Sequence, residues 1–221
     1  AKAVVTTAGT DAGVAKLVAD ALAQSGSGLP VIGVAPYQKM TGWKELLDGK
    51  NGEEVSYTNL PDPGKPGASA PLNHDHTHFV LVDSGARTNW GTELHLRAEF
   101  EAAYAQMLHI PIAQLCVQGG PGTLATVLAY ATLGGPVVLL SNSGGAASAV
   151  SRFVQDGGLD EELDAPFMKP TPLEQLEQIR SLHEASGDKL LSFFNVGAES
   201  MATSMLQAIV ANLTGSPLKL S

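Results

Sequence analysis

Cysteine occurs once in this chain of 221 residues, aromatic side chains make up only 5% of it, and no apolar run is long. A single thiol excludes any disulfide within the chain. Cys116 lies inside the apolar run AQLCVQ, where a buried, inert thiol is expected and a nucleophile is not. The longest apolar stretches, such as residues 136–140, fall far short of the roughly 20 residues that a membrane-spanning helix needs. Membrane insertion by this chain is therefore not expected, and no signal-peptide pattern opens it. Basic residues are also few, 13 against 22 acidic ones, for a formal charge of −9. That balance argues against a nucleic-acid groove, which needs a basic surface, but leaves room for a small anion held by local arginines and backbone amides.

What is present is Ala, Val and Leu in short bursts. Strand-like runs recur at residues 3–7, 31–35, 78–83, 112–117, 137–141 and 190–194, most of them followed by glycine or polar residues and then a helical pattern. Strands alternating with helices predict an α/β fold with a mainly parallel sheet and helices on both faces. Helical spacing marks a segment from about Thr92 through Leu94, Ala98, Tyr104 and Leu108, another at Leu173, Leu176 and Ile179, and a last one over 201–213. Residues 37–72 are too rich in Gly and Pro for regular structure and read as a long excursion over the loop-bearing sheet edge, or as a partly disordered segment. With no linker and no internal repeat, residues 1–221 are expected to form one domain.

Three glycine-bearing loops follow strands. The first, VVTTAGTDAGVAKLV, passes from Val4 and Val5 through Thr7, Gly9, Asp11, Ala12 and Gly13 into a helix face at Val14, Leu17 and Val18. The second, QGGPGTLATVLAYA, turns through Gly119, Gly120, Pro121 and Gly122 and starts a helix near Thr123. The third, LLSNSGGAASAV, carries Ser143 and Gly144. Glycine lets backbone approach a phosphate, and a helix N-terminus offers unpaired N–H groups and positive dipole charge, so this order favours an anion cradle over a plain turn. Loops at the carboxyl ends of parallel strands are the usual ligand position in α/β sheets.

Two further stretches carry candidate chemistry. PLNHDHTHFVLVDSG places His74, Asp75, His76 and His78 at a strand start. Their spacing matches no tetrahedral zinc motif, so packing or backbone-bonding histidines are expected and no metal site is assigned. The block DGGLDEELD, 156–164, reads as a solvated loop or helix end without calcium-loop spacing. In DSGARTNWGTELHLRAEFEAAY, Glu93 and Arg97 stand four apart, which suits an ordinary intrahelical ion pair. Glu93 is equally placed in the first helical turn, where it would meet a ligand, and Arg97 one turn on to face a phosphate. Trp90 would stack on a flat ring or cover core.

Taken in order, VVTTAGTDAGVAKLVADAL, VIGVAPY, LNHDHTHFVLVDSG, WGTELHLRAEFE, QGGPGTLATVLAYA, GGPVVLLSNSGGAASAV and DKLLSFFNVGAESMATSMLQAIVANL resemble the N-terminal homology region of melastatin-type transient receptor potential channels. That region is of the LSDAT type in the SLOG superfamily of Rossmann-like domains, with the "lonely guy" phosphoribohydrolases and DNA-processing proteins. The resemblance implies a cytoplasmic nucleotide-sensing module whose ligand is ADP-ribose or a related NAD-derived nucleotide. It implies no bound cofactor. Thr7, Gly9, Asp11, Ala12 and Gly13 then fall on the first phosphate-side loop, Trp90 on an aromatic stacking position, Arg97 on a ligand-contacting arginine, and 119–123 on a further crevice loop. The channel pattern has an arginine where this chain has Gly145, with Arg152 two turns later as the candidate substitute. The resemblance also implies part of a larger channel or a free-standing relative, open to self-association.

Phosphoribohydrolases carry PGGxGTxxE, with the glutamate serving cleavage at the ribose carbon. Here Gln118 replaces the proline and Thr126 the glutamate. A hydroxyl cannot replace a carboxylate as general base. The expected function is binding without turnover, and no residue is assigned as catalytic. The alternative is a nucleotide N-glycosidic hydrolase using Glu93.

Overall fold

A computed structural model describes residues 3–62, 65, 67–85, 89–195 and 197. The chain divides into two compact units, residues 1–93 and 94–221. Each holds a three-stranded, all-parallel sheet.

In the first unit, β1 (Val5–Thr7) leads through the first glycine loop into α1 (Gly13–Gln24), followed by β2 (Val31–Pro36) and β3 (His78–Val82). The order is β1-β2-β3, with Val5 opposite Val31 and Ile32 opposite His78. The central strand, VIGVAP, is apolar throughout because a middle strand of a parallel sheet is covered by neighbours. Gly33 in its middle faces Gly9: a Cβ added at Gly33 would lie 2.5 Å from the Gly9 Cα. Two glycines thus bring the loop backbone directly onto the sheet.

The Gly/Pro-rich excursion leaves from the carboxyl end of β2. It is largely irregular, as expected, yet contains a 3-10 turn at Tyr37–Lys39 and a single π turn at Trp43–Leu47. It is fastened where it returns: the Thr41 N–H donates to the Ala70 carbonyl (2.9 Å), the Ala70 N–H to Lys39 (3.0 Å), and the Tyr57 hydroxyl to the Thr41 carbonyl (2.6 Å). Met40 is fully buried beneath these bonds.

The second unit runs α2 (Leu94–Leu108), β4 (Gln114–Cys116), α3 (Pro121–Thr132), β5 (Val137–Leu140), α4 (Gly145–Gln155), α5 (Pro170–Ala185) and β6 (Leu191–Phe194). Its sheet order is β4-β5-β6. Proline opens α3 and α5, where its missing N–H would be unpaired in any case. The core lies between this sheet and α3, α4 and α5, built from Leu124, Val127, Val137, Leu139, Val150, Phe167, Leu176 and Ile179. Each such side chain contributes about 1.5–3 kcal/mol on burial. Ala146, Ala147 and Ala149 let α4 sit close against the core.

All six expected strands are present, with ends within two residues of the expected ones. The expected mainly parallel sheet is realised as two parallel sheets, and strands alternating with helices around them make a Rossmann-like α/β fold. α2 begins at Leu94, so Glu93 precedes the helix rather than belonging to its first turn. The helix expected over 201–213 lies outside the described residues. No helix among the described residues is long and apolar enough to cross a membrane.

Candidate functional site

In each unit the parallel strands send their loops to one carboxyl edge. In the first unit that edge carries the β1–α1 loop and the segment through Trp90 to Glu93. The loop is pinned to the residues before β3: the Asp11 N–H donates to the Pro71 carbonyl (2.8 Å) and the Asn73 N–H to that of Gly9 (3.0 Å). α1 starts after Ala12, whose backbone is extended and whose side chain caps nothing, and no acidic residue stands in the first turn. Around Gly13 the space is open, whereas a Cβ at Gly9 would meet the Gly33 Cα at 2.8 Å. Gly9 therefore serves the sheet, and the open part of the loop is at Gly13.

Thr7 takes part in a buried chain of hydrogen bonds. The Asp75 N–H donates to Asn73 Oδ1 (3.0 Å), and Asn73 Nδ2 donates to the Asp11 carboxylate (2.9 Å), which orients the Asn73 amide. Asn73 Oδ1 can only accept, so His76 Nδ1 is the donor to it (3.1 Å). Burial holds the His76 imidazole below its ordinary value, against the opposing influence of Asn73 and the Asp75 charge, and so keeps it neutral. Its Nε2 must then accept from the Thr7 hydroxyl (2.6 Å), while Thr7 Oγ1 accepts from the Gly9 N–H (2.9 Å). Thr7 is mostly buried, and its one hydroxyl proton points at the imidazole.

At the outer end of this chain Lys16 Nζ donates to Asp11 Oδ1 at 2.6 Å. Bonds from Lys16 and then Asn73 hold the Asp11 carboxyl below the usual carboxylate range. Asp11 is thus neutralised at the helix N-terminus. Asn73 and Lys16 escaped the sequence reading. Lys16 sits five residues after Asp11, off the usual helical pair spacing, and Asn73 gains its role only through the turn before β3.

Trp90 is 42% exposed, and its indole N–H donates to the Gly67 carbonyl (2.7 Å). The ring is thereby tethered with much of its surface open. Glu93 is buried and accepts the Gly91 N–H (3.0 Å). In the second unit, Arg97 Nε donates to Glu101 Oε1 at 2.9 Å, one turn along α2, with both side chains largely buried. That bond takes the Nε–H of the guanidinium.

The carboxyl edge of the second sheet carries residues 117–123 and 141–144. Here the two glycine loops differ. α4 begins with three of its donors already used: the Ala146 N–H donates to the Gly119 carbonyl (2.8 Å), the Ala147 N–H to Gln118 (3.1 Å), and the Gly144 N–H to Ser148 Oγ (2.8 Å). Ser143 Oγ accepts the Gln118 N–H (2.8 Å) and donates to the Leu140 carbonyl (2.7 Å). Ser143, expected with Gly144 to meet a ligand, braces its loop against Gln118, and the Gly144 N–H is held by Ser148 of its own helix. Gln118 is held at φ +53°, a conformation uncommon for a residue with a side chain. Gly119, at φ +91°, has no room for a Cβ because the Thr123 side chain folds over it at 2.4 Å.

The N-terminus of α3 is the open one. Gly120 caps it through backbone alone, Pro121 follows, and nothing lies within 4 Å of a Cβ added at Gly120 or Gly122. Thr126, at the place of the hydrolase glutamate, donates its hydroxyl to the Gly122 carbonyl (3.0 Å).

Other chemistry-bearing residues serve the fold. Asp164, in the block expected to be solvated, is fully buried and takes Arg152 in a two-pronged ion pair, Nε to Oδ2 at 2.7 Å and Nη2 to Oδ1. Arg152 is therefore matched within the protein. Cys116 is buried, which pushes its thiol up to about 12. Among the described residues no three His, Cys, Asp or Glu side chains converge as a metal ion would require.

The family described as "SLOG in TRPM" matches residues 1–192. A transient receptor potential cation channel subfamily M member-like 2 of Nematostella vectensis is 27% identical over 92% of this chain and 14% of its own length. The transient receptor potential cation channel trpm of Drosophila melanogaster is 36% identical over 71% of this chain and 8% of its own. Subfamily M member 7 of Rattus norvegicus is 28% identical over 95% of this chain and 12% of its own. The chain thus spans less than a sixth of these relatives. It belongs to the SLOG family found in melastatin-type transient receptor potential channels.

Proposed function

We propose that this SLOG domain is a binding module for a phosphate-bearing, ADP-ribose-like nucleotide and does not turn it over. One comparison within the molecule carries this reading. Of the three glycine loops, the one before α4 has its helix donors taken by protein carbonyls, whereas those before α1 and α3 lead into helices with no capping side chain and open space at Gly13, Gly120 and Gly122. Uncapped N-terminal amides attract anions. The exposed indole of Trp90 offers a stacking face for a base. Family membership supports a place within a larger channel. The hydrolase reading has less to stand on, because the Thr126 hydroxyl is bound to its own helix and carries no carboxylate.

The test is a thermal-shift panel of ADP-ribose, its cyclic and deoxy forms, NAD and AMP, followed by calorimetry. A true ligand raises the melting temperature with concentration. Gly122→Asp and Ala12→Asp each place a carboxylate at an open helix N-terminus, where it favours the helix and repels phosphate. Both variants are expected to melt no lower than the parent, and the one whose helix end holds the phosphate to bind at least tenfold more weakly. Full binding by both would leave neither helix end as a phosphate site. A flat response to every nucleotide would overturn the proposal.

A further inference from the structure

The chain from Gly9 to Lys16 has a feature that ordinary packing does not require: the rotatable proton of the Thr7 hydroxyl, at the end of β1, is held by a titratable base. With His76 neutral, the order is Gly9 N–H to Thr7 Oγ1, Thr7 O–H to His76 Nε2, His76 Nδ1–H to Asn73 Oδ1, and Asn73 Nδ2–H to Asp11. Every partner except one has a fixed role. Asn73 cannot flip, because the Asp75 N–H and the Asp11 carboxylate fix both ends of its amide. The Gly9 N–H can only donate. Only the Thr7 hydroxyl can turn.

We infer that an anion bound at the β1–α1 loop is taken up together with one proton on His76, which turns the Thr7 hydroxyl from the imidazole to the bound oxygen. The proton comes from solvent and adds to Nε2. The Nε2–H then donates to Thr7 Oγ1, which still accepts from the Gly9 N–H, so the hydroxyl proton needs a new acceptor. Among the described residues Thr7 donates to nothing but the imidazole. A phosphate oxygen at the loop would supply that acceptor, and the imidazolium would supply a positive charge to a loop whose Lys16 is already matched by Asp11 and Asp20.

The groups facing His76 are few and favour this exchange. Thr7 faces it from β1, Asn73 and Asp75 from its own segment, and the Phe79 ring from β3, with centroids 5.5 Å apart. The charges beyond them are Asp75, with His74 beside it, and the Asp11–Lys16 pair. Burial alone keeps the imidazole neutral against the Asp75 carboxylate, and an added anion tips the balance the other way.

This inference rests on the nucleotide reading above, and the experiment separates the two. ADP-ribose is titrated calorimetrically from pH 6 to pH 8 in buffers of differing ionisation enthalpy. The expected result is uptake approaching one proton and a dissociation constant rising toward tenfold per pH unit in the upper range. His76→Gln should flatten that slope. Binding of ADP-ribose by the parent with no proton uptake overturns the inference and leaves the nucleotide reading standing. If ADP-ribose does not bind, the nucleotide reading fails, and the inference is decided on the parent protein by NMR titration of the His76 ring with and without inorganic pyrophosphate. A higher titration point with pyrophosphate upholds it, and an unchanged one overturns it.

Discussion

At the residue scale, glycine has two distinct tasks in this chain, and substitution separates them. Gly33 and Gly9 exist for each other: a methyl group at Gly33 would sit 2.5 Å from the Gly9 Cα and 2.8 Å from the Phe79 ring. The obstacle is backbone, which cannot swing aside as a side chain tip does. Gly33→Ala should therefore lower stability by about 3 kcal/mol, at the upper end for overpacking. Gly13 also has a positive φ, of +55°, but nothing within 4 Å of the added methyl. Gly13→Ala should lose only about 1 kcal/mol, the left-handed penalty. Urea unfolding of the two variants checks the contrast, and equal losses would refute it. The glycines of GTDAG and QGGPG look alike in sequence, because a string of residues does not record which side of a loop meets protein.

Among elements, α4 shows how a pattern can suggest a ligand site and be used for assembly. Its N-terminus is filled by the Gln118 and Gly119 carbonyls, and its Arg152, the candidate replacement for a missing ligand arginine, is held by buried Asp164. DGGLDEELD looks solvated because acidic residues usually are. One of them turns inward because a helix three turns long presents a guanidinium there to receive it. Asp164→Asn keeps the shape and leaves Arg152 without its counter-charge. Arg152 is partly exposed, so the loss should be about 2 kcal/mol, below the 3–5 kcal/mol of a sealed pair. Burial pushes the Asp164 carboxyl up, but the bonds from Arg152 and the Asp160 N–H outweigh it and hold the group below its ordinary 3.8. Its contribution is therefore complete above pH 3.8 and disappears as pH falls through the depressed value. Denaturant midpoints of parent and variant should differ at pH 7 and converge in acid.

For the whole molecule, strand positions and the Rossmann-like class were legible, since short apolar runs punctuated by glycine are the direct mark of buried parallel strands. The division into two three-stranded sheets was not, because pairing across a long excursion leaves no local trace. Nor were the partners of the buried histidines, which lie on other elements. Each unit holds one such histidine, His76 in the first and His183 in the second. His183 sits at the carboxyl end of α5, where the helix dipole favours a cation, yet its Nδ1 accepts the Leu191 N–H (3.2 Å) and burial lowers its titration point despite Asp188 and Glu184. Protonating that nitrogen would set two donors against each other at the start of β6. Both histidines thus have folded values below the ordinary 6.5. The unfolded chain binds protons first as pH falls, so their stabilising effect is complete above pH 6.5 and is lost below it. Each costs about 1.4 kcal/mol for every pH unit by which its folded value is depressed. The ligand-free protein should lose denaturant resistance steadily from pH 7 to pH 5. His183→Gln, whose amide oxygen can accept from Leu191 without a titratable proton, should reduce that slope while His76 maintains the remainder, and an unchanged slope would refute the assignment.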